Sequence, residues 1–154
     1  MNWEAIGAGG EIVGALAVFL TLAYLSIQIR QNTKAVRASA IDSAISQINQ
    51  IRELIISDPE VANMYRRGNE NPESLNEDDK IRYRLLIHNA LLALSNVHAQ
   101  AIFAGLSDST WETQLPIVTR VISSPGGKWF WQGHRNEFEE SFRVQVDEIL
   151  LKDR

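Results

Sequence analysis

The chain has 154 residues, of which 45% are hydrophobic and 22% charged, and it contains no cysteine. This composition is typical of a globular chain with a real core, and the missing cysteine excludes disulfides, thiolate nucleophiles and cysteine-based metal sites. The net charge is −4, and residues 38–154 carry 17 Asp and Glu against 12 Lys and Arg. An acidic body is poorly suited to a phosphate backbone, so no nucleic-acid partner is expected.

A long apolar segment lies near the N-terminus. Between Glu11 and Arg30 there are 18 residues without formal charge, and ten of them are Leu, Ile, Val or Phe. In a helix they span roughly 27 Å at ~1.5 Å per residue, close to the ~30 Å of bilayer hydrocarbon. We therefore predict a membrane-spanning helix over residues 11–30, called the apolar segment below.

The charges that flank the apolar segment predict its orientation. Acidic residues precede it, whereas Arg30, Lys34 and Arg37 follow it. Positive residues favour the cytoplasmic side, so the N-terminus is expected outside and the remainder in the cytoplasm. The predicted organisation is a short N-terminal segment (1–10), a transmembrane helix (11–30) and a cytoplasmic helical domain (31–154).

Two alternatives for the apolar segment stay open. It is also long enough to be the buried helix of a soluble bundle or oligomer. A cleaved signal peptide is the third interpretation, but it requires a basic start and a shorter apolar run. Here the start is acidic, and the Ala-Ser-Ala sequence at 38–40 lies beyond three basic residues.

Small and weakly polar residues recur along the apolar segment with spacings of 3 and 4, which places them on one helix face. In lipid, such residues let helix backbones approach and hydrogen-bond across the contact. We predict helix association along this stripe, within the chain or between copies, and hence a homo-oligomer. Its members are Gly7, Gly10, Gly14, Ala17, Thr21, Tyr24 and Gln28.

The helix is predicted to continue far beyond the apolar segment. No Gly or Pro occurs from Ala15 to Asp58, and isoleucines at helical spacing continue an apolar face, so one helix should end near Ser57. Asp58 followed by Pro59 is typical of a new helix start. Gly68 is the predicted stop of that short helix.

The polar stretch NENPESLNEDD predicts a loop, after which Ser74 and Glu77 form a capping box that opens the next helix. Residues 85–107 are again free of Asp, Glu, Lys and Arg, yet they hold too many polar groups for lipid exposure. We predict the central helix of a soluble bundle, with a membrane hairpin as the alternative.

One side of this central helix is apolar, and the opposite side carries a polar arc. If the arc faces an interior cavity, it is a possible ligand site; otherwise it is an internal hydrogen-bond network or exposed surface. The residues assigned to this possible site are His88, Asn89, Asn96 and Gln100.

The last third of the chain is also predicted to be helical. Gly105 should end the central helix, and Ser107 or Asp108 should cap the next one. Pro116 either kinks that helix or falls in its first turn. The SSPGG turn should precede another helix, and a final helix is expected over about 139–152. No alternating strand pattern of useful length occurs, so the predicted fold class is all-α.

No catalytic constellation is present in the sequence. The chain has no H-E-x-x-H, G-x-S-x-G, phosphate-loop or dinucleotide motif. His88 and His98 are about 15 Å apart along one helix and cannot share a metal. We therefore expect neither an enzyme nor a metal or other cofactor. The aromatic run at 129–131 cannot all face inward, which leaves a possible docking surface for a partner or the membrane interface.

Several stretches together resemble a family of short, uncharacterised bacterial proteins with an N-terminal apolar helix and a small helical domain. They are MNWEAIGA, EIVGALAV, YLSIQIRQNTKAVR, SDPEVANMYRRG, NPESLNEDDKIRYRLL, SSPGGKWFW and FRVQVDEIL. The resemblance spans nearly the full chain and implies a bacterial, membrane-anchored helical protein, but no activity. The expected function is a single-pass inner-membrane protein of scaffolding, sensing or interaction type, with its protein partner unspecified.

Overall fold

The computed structural model describes residues 3–104 and 109–153, with the side chains at 3–8, 37, 40, 103, 104, 109 and 110 excepted. All regular structure in these residues is helical, which confirms the predicted all-α class. The α-helices are α1 (Trp3–Ser57), α2 (Pro59–Glu70), α3 (Glu77–Ala104), α4 (Ser109–Glu112), α5 (Leu115–Ile122), α6 (Pro125–His134) and α7 (Glu140–Lys152), and short 3-10 turns occupy Pro72–Ser74 and Arg135–Glu137.

The chain divides into two compact units, Met1–Ser39 and Ala40–Arg154. The first unit is helical, and each residue from 9 to 36 is exposed. The second unit is called the helical bundle below. The predicted boundary after residue 30 concerned the end of a membrane span, which is a different property, so it stays a prediction.

A continuous apolar core holds the helical bundle together. The central helix α3 places Leu91, Leu94 and Val97 at the middle, each with no exposed surface. Around them pack the aromatic rings of α6 and α7, including Phe130 and Phe142, which are also fully buried. Burying each such side chain contributes about 1.5–3 kcal/mol, and this term is the main stabilisation of the bundle.

Two predicted helix starts are confirmed at the level of hydrogen bonds. The Asp58 carboxylate accepts from the backbone N–H of Glu60 at 2.8 Å and of Val61 at 3.3 Å, with Pro59 in the first turn. The long helix before it ends at Ser57, as predicted. At the later turn, the Ser124 hydroxyl accepts from the Gly127 N–H at 2.9 Å and starts α6.

Two other predicted boundaries are wrong. Helix α2 does not stop at Gly68 but continues to Glu70. Helix α3 is capped by Asn76, whose side-chain oxygen accepts from the Asp79 N–H at 2.8 Å, and not by Ser74. The Ser74 hydroxyl instead donates to the Asn71 carbonyl at 2.7 Å, within the 3-10 turn that interrupts the predicted loop.

The close approach of α2 and α3 at position 68 requires a residue without a side chain, and Gly68 meets this requirement. It is buried, and a Cβ at this position would overlap the ring of Tyr83. Gly126 on α6 meets the same ring, and a Cβ there would overlap the Tyr83 hydroxyl and the Gly68 carbonyl. The Tyr83 hydroxyl donates to the Asn69 side-chain oxygen at 2.9 Å. Burial raises the pKa of Tyr83 above its usual value, so the phenol stays a proton donor.

A polar cluster joins α6 to α7. The Trp131 indole N–H donates to Asp147 at 2.8 Å, and Arg135 pairs with the other carboxylate oxygen. Burial disfavours the ionised carboxylate, but the hydrogen bonds from Trp131 and Arg135 outweigh it and hold the pKa of Asp147 below its usual value.

The last third of the chain matches the predicted pattern where it is described. Pro116 falls in the first turn of α5, which is one of the two predicted placements. The final helix runs from Glu140 to Lys152. Gly105, Ser107 and Asp108, the predicted stop and caps, lie outside the described residues.

Candidate functional site

The apolar segment presents large hydrophobic side chains to the surroundings on all sides except the predicted stripe. The exposed fraction is 68% for Phe19, 66% for Leu20 and 60% for Leu22, at nearly successive positions. Contiguous exposed apolar surfaces of this kind are typical of protein or membrane interaction sites. The other exposed large hydrophobic residues of the segment are Ile12, Val13, Leu16, Val18, Tyr24, Leu25, Ile27 and Ile29.

The described members of the predicted association stripe, from Gly10 to Gln28, are all exposed. A Cβ added at Gly10 or Gly14 would meet nothing within 4 Å, so a neighbouring helix has room to approach there. The Thr21 hydroxyl donates to the Ala17 carbonyl at 2.8 Å, and the Gln28 amide donates to the Tyr24 hydroxyl at 3.0 Å. The polar groups are thus partly satisfied within the helix. Association along the stripe stays a prediction. The surroundings of Gly7, its first member, lie outside those described.

Two described helices are long and apolar enough to cross a membrane. The apolar window in Gly9–Ser57 has a mean hydropathy of 2.1 and none of it is buried, whereas the window in Glu77–Ile102 has a mean hydropathy of 1.2 and is half buried. Length and composition alone do not separate a membrane helix from a core helix. The absence of burial makes the first helix the better membrane candidate. The burial of half of the second window agrees with its prediction as the central helix of a bundle.

The four residues of the possible polar site are not gathered in one cavity. His88 is half-buried, with its Nδ1 2.9 Å from the Glu137 carboxylate and its ring against Phe138. Asn89 is exposed in a groove beside the glutamines of α1. Asn96 is exposed and Gln100 is half-buried. Within the described residues, none of the four hydrogen-bonds another, so a shared ligand site remains a prediction without support from these contacts.

An apolar space in the helical bundle lies elsewhere. A cavity of about 340 Å³ opens between α1, α2, α3 and α5. This volume falls within the roughly 300–1,000 Å³ typical of small-ligand sites. The lining side chains are mainly aliphatic: Ile48, Ile51, Ile55, Ile56, Leu86, Ile87, Ala90, Leu94, Ile117 and Val121, with Tyr65, Arg52 and Arg120 as the polar members.

Sequence reasoning missed this cavity. The sequence predicts an isoleucine face on α1 and an apolar side on the central helix. What the sequence did not reveal is that α5 lies beside both helices and supplies Ile117 and Arg120 to the same space. That placement depends on helix pairing, which periodicity within one helix does not report.

His98 and Trp111 form a second buried pair in the bundle. Their rings meet edge to face with centroids 4.6 Å apart. The His98 Nδ1 and the Trp111 indole nitrogen are buried without a hydrogen-bond partner among the described residues. Burial lowers the pKa of His98 below its usual value, although Glu139 acts weakly in the opposite direction. His98 is therefore a neutral core residue at neutral pH.

In the described part of the chain, no three His, Asp or Glu side chains come together as a metal site would require. Comparison with known proteins adds no family: no protein-family model, curated protein or solved structure matches this chain.

Proposed function

We propose that this chain is a single-pass membrane protein that acts as a scaffolding, sensing or interaction module rather than as an enzyme. Its apolar segment spans a bacterial inner membrane with the N-terminus outside, and the helical bundle lies in the cytoplasm. The observation that carries the proposal is that every residue from 9 to 36 is exposed, and that these residues include the more apolar of the two membrane-length windows in the described part of the chain.

The energetics of insertion support this assignment. Ten Leu, Ile, Val and Phe side chains each favour insertion by roughly 0.3–0.6 kcal/mol, whereas an Arg at the centre of the span costs about 2.5–3.5 kcal/mol. The polar side chains of Thr21 and Gln28 bond within the helix, which reduces their cost in lipid. The net gain is modest, so two central arginines should cancel it.

Membrane fractionation tests the proposal. The unmodified chain should stay in membranes washed with high salt and with alkaline carbonate. The double variant Leu16→Arg/Leu20→Arg should move to the soluble or aggregated fraction. Leu54→Arg is the matched control, because Leu54 is a half-exposed leucine of the same helix outside the apolar segment. Full release of the unmodified chain by the washes would instead support the soluble bundle or oligomer.

Orientation can be tested because the chain has no cysteine of its own. A single cysteine at position 3 should react with a membrane-impermeant maleimide in spheroplasts. A cysteine at position 40 should react only after lysis. The opposite pattern would reverse the proposed topology.

Self-association through the stripe is the finer part of the proposal. Gly10→Leu/Gly14→Leu should reduce dimer formation in a transmembrane-helix association reporter by roughly tenfold or more, since two large side chains block close backbone approach. Gly9→Leu is the control, because Gly9 lies off the stripe and also has open space around it. Equal effects of both changes would argue against the stripe.

A further inference from the structure

We propose that the cavity between α1, α2, α3 and α5 binds a single-chain amphipathic carboxylate, namely a medium-chain fatty acid. The site lies wholly within the helical bundle, so this inference does not depend on the membrane proposal. It is also separate from the polar arc of α3.

The walls of the cavity select an apolar occupant. Isoleucine, leucine and valine side chains supply most of the lining, and Ala90 leaves room where a larger side chain would fill it. Such walls offer few hydrogen-bond partners. A peptide would bury unsatisfied amide groups there, which is costly, whereas a hydrocarbon chain buries none. The volume of about 340 Å³ suits one chain rather than a two-chain lipid.

Two arginines at the cavity select the charge of the occupant. Arg52 comes from α1 and Arg120 from α5, and both are exposed side chains that line the same space. The Arg52 guanidinium donates to the Asn49 side chain at 3.1 Å. Neither arginine forms an ion pair with any described residue.

These unpaired positive charges are notable because the bundle as a whole is acidic. Arg66, Arg67 and Arg135 are paired with carboxylates, whereas other arginines of the bundle, including Arg82 and Arg84, form no ion pair among the described residues. Arg52 and Arg120 differ from those in that both line the apolar cavity. A guanidinium fork matches a carboxylate through two parallel hydrogen bonds, so Arg52 and Arg120 are suited to holding the head of a fatty acid. The acyl chain would then lie along Ile48, Leu86 and Val121.

Photolabelling tests the site in the full chain. The protein is held in lipid nanodiscs, or in buffer if fractionation shows it to be soluble, and is irradiated with laurate that carries a diazirine at its methyl end. Peptide mass spectrometry then locates the adducts. We expect saturable adducts in residues 86–94 and 117–121 that free laurate displaces. Dodecyltrimethylammonium, with the same chain length and opposite charge, should not displace them.

Lipid partitioning is distinguished by position and saturation. Probe dissolved in the bilayer should label residues 12–29 in proportion to its concentration, without saturation. Unsaturable labelling of the cavity peptides, or equal competition by the cationic amphiphile, would overturn the proposal. Cross-links that join the cavity of one chain to a second copy would also overturn it, because the occupant would then be protein.

Variants test the two selecting features separately. Arg52→Gln/Arg120→Gln should raise the laurate concentration for half-maximal labelling by about tenfold or more, equivalent to about 1.4 kcal/mol. The matched control is Arg82→Gln/Arg84→Gln, which removes two exposed arginines of α3 outside this cavity.

Filling the space is the second test. Ala90→Phe should abolish laurate labelling at the cavity. Ala90→Phe also adds volume to the core and can disturb folding, so the arginine variant is decisive. Unchanged laurate labelling of Arg52→Gln/Arg120→Gln would show that no carboxylate is held there and would refute the proposal.

Discussion

The apolar segment of α1 and the central helix α3 are both long, uncharged stretches, but the structure places their side chains in opposite environments. The apolar window of α1 is unburied, whereas that of α3 is half buried. The difference lies in what the rest of the chain covers. In α3, Leu94 and Val97 are buried in the core of the bundle, although Leu92 is exposed. In the apolar segment no side chain is buried. Burial therefore separates the two helices, whereas length does not.

The largest expected difference between the two helices is their response to a single introduced charge. Leu94→Arg buries an unpaired charge in the core and should reduce the free energy of unfolding of the bundle by about 4–5 kcal/mol or more. Leu20→Arg should change it by less than about 0.5 kcal/mol while weakening membrane retention. Urea unfolding in a mild detergent, followed by tryptophan fluorescence in a Trp3→Phe background, measures the first effect. Comparable losses for both variants would contradict the division into units.

Glycines offer a second contrast. Gly126→Ala should destabilise the bundle by about 3 kcal/mol, because its Cβ would overlap the backbone carbonyl of Gly68 as well as Tyr83. Gly133→Ala, on the same helix with open space around it, should stabilise by up to about 1 kcal/mol. Gly14→Ala should leave bundle stability unchanged. Thermal unfolding of the three variants ranks them, and a neutral Gly126→Ala would show that the close approach is not rigid.

His98 predicts a pH dependence that is specific to the core of the bundle. Its pKa is lowered in the folded state, whereas an unfolded histidine titrates near ~6.5. Below that pH the unfolded chain binds the proton first, so the free energy of unfolding should fall, with a slope of at most about 1.4 kcal/mol per pH unit. Stability is retained fully above the unfolded pKa. His98→Phe should flatten this part of the profile in urea titrations between pH 5 and 7.5. An unchanged slope would mean that another group is responsible.

The start of α3 provides the smallest test. Asn76→Ala removes the side-chain acceptor for the Asp79 N–H and should cost about 1 kcal/mol. Ser74→Ala removes an exposed hydrogen bond to the Asn71 carbonyl and should cost roughly half as much or less. Chemical denaturation of the two single variants compares them directly. A larger effect for Ser74→Ala would restore the capping box that the sequence suggested.

Local chemistry explains which parts of the fold the sequence predicted. The end of α1 at Ser57 follows from Asp58 and Pro59, since capping and the proline ring act within one turn. The predicted helix end at Gly68 is wrong because the small size of this residue serves a contact with Tyr83, fifteen residues later. Ser74 and Asn76 are both residues that cap helices well. Ser74 is part of the 3-10 turn and bonds to Asn71 within it, so Asn76 is the residue that caps α3.

The candidate sites divide in the same way. Exposure of the apolar segment agrees with a pattern visible in the sequence. The cavity could not be predicted, because it requires residues from four helices whose pairing no local signal encodes. The positions of His88 and Asn89 also depend on tertiary packing, which directs one towards Glu137 and the other towards the surface of α1.

The contacts of the Asn69 side chain determine when the bundle can fold during synthesis. Its oxygen accepts the Tyr83 hydroxyl 14 residues downstream and lies 3.2 Å from the Ser124 hydroxyl 55 residues downstream. Three helices meet at that one atom, so the bundle cannot close until the ribosome has released the chain beyond residue 124. The apolar segment emerges about a hundred residues earlier, several seconds before closure at roughly 5–20 residues per second. During that interval the apolar segment has been synthesised while the bundle is still incomplete.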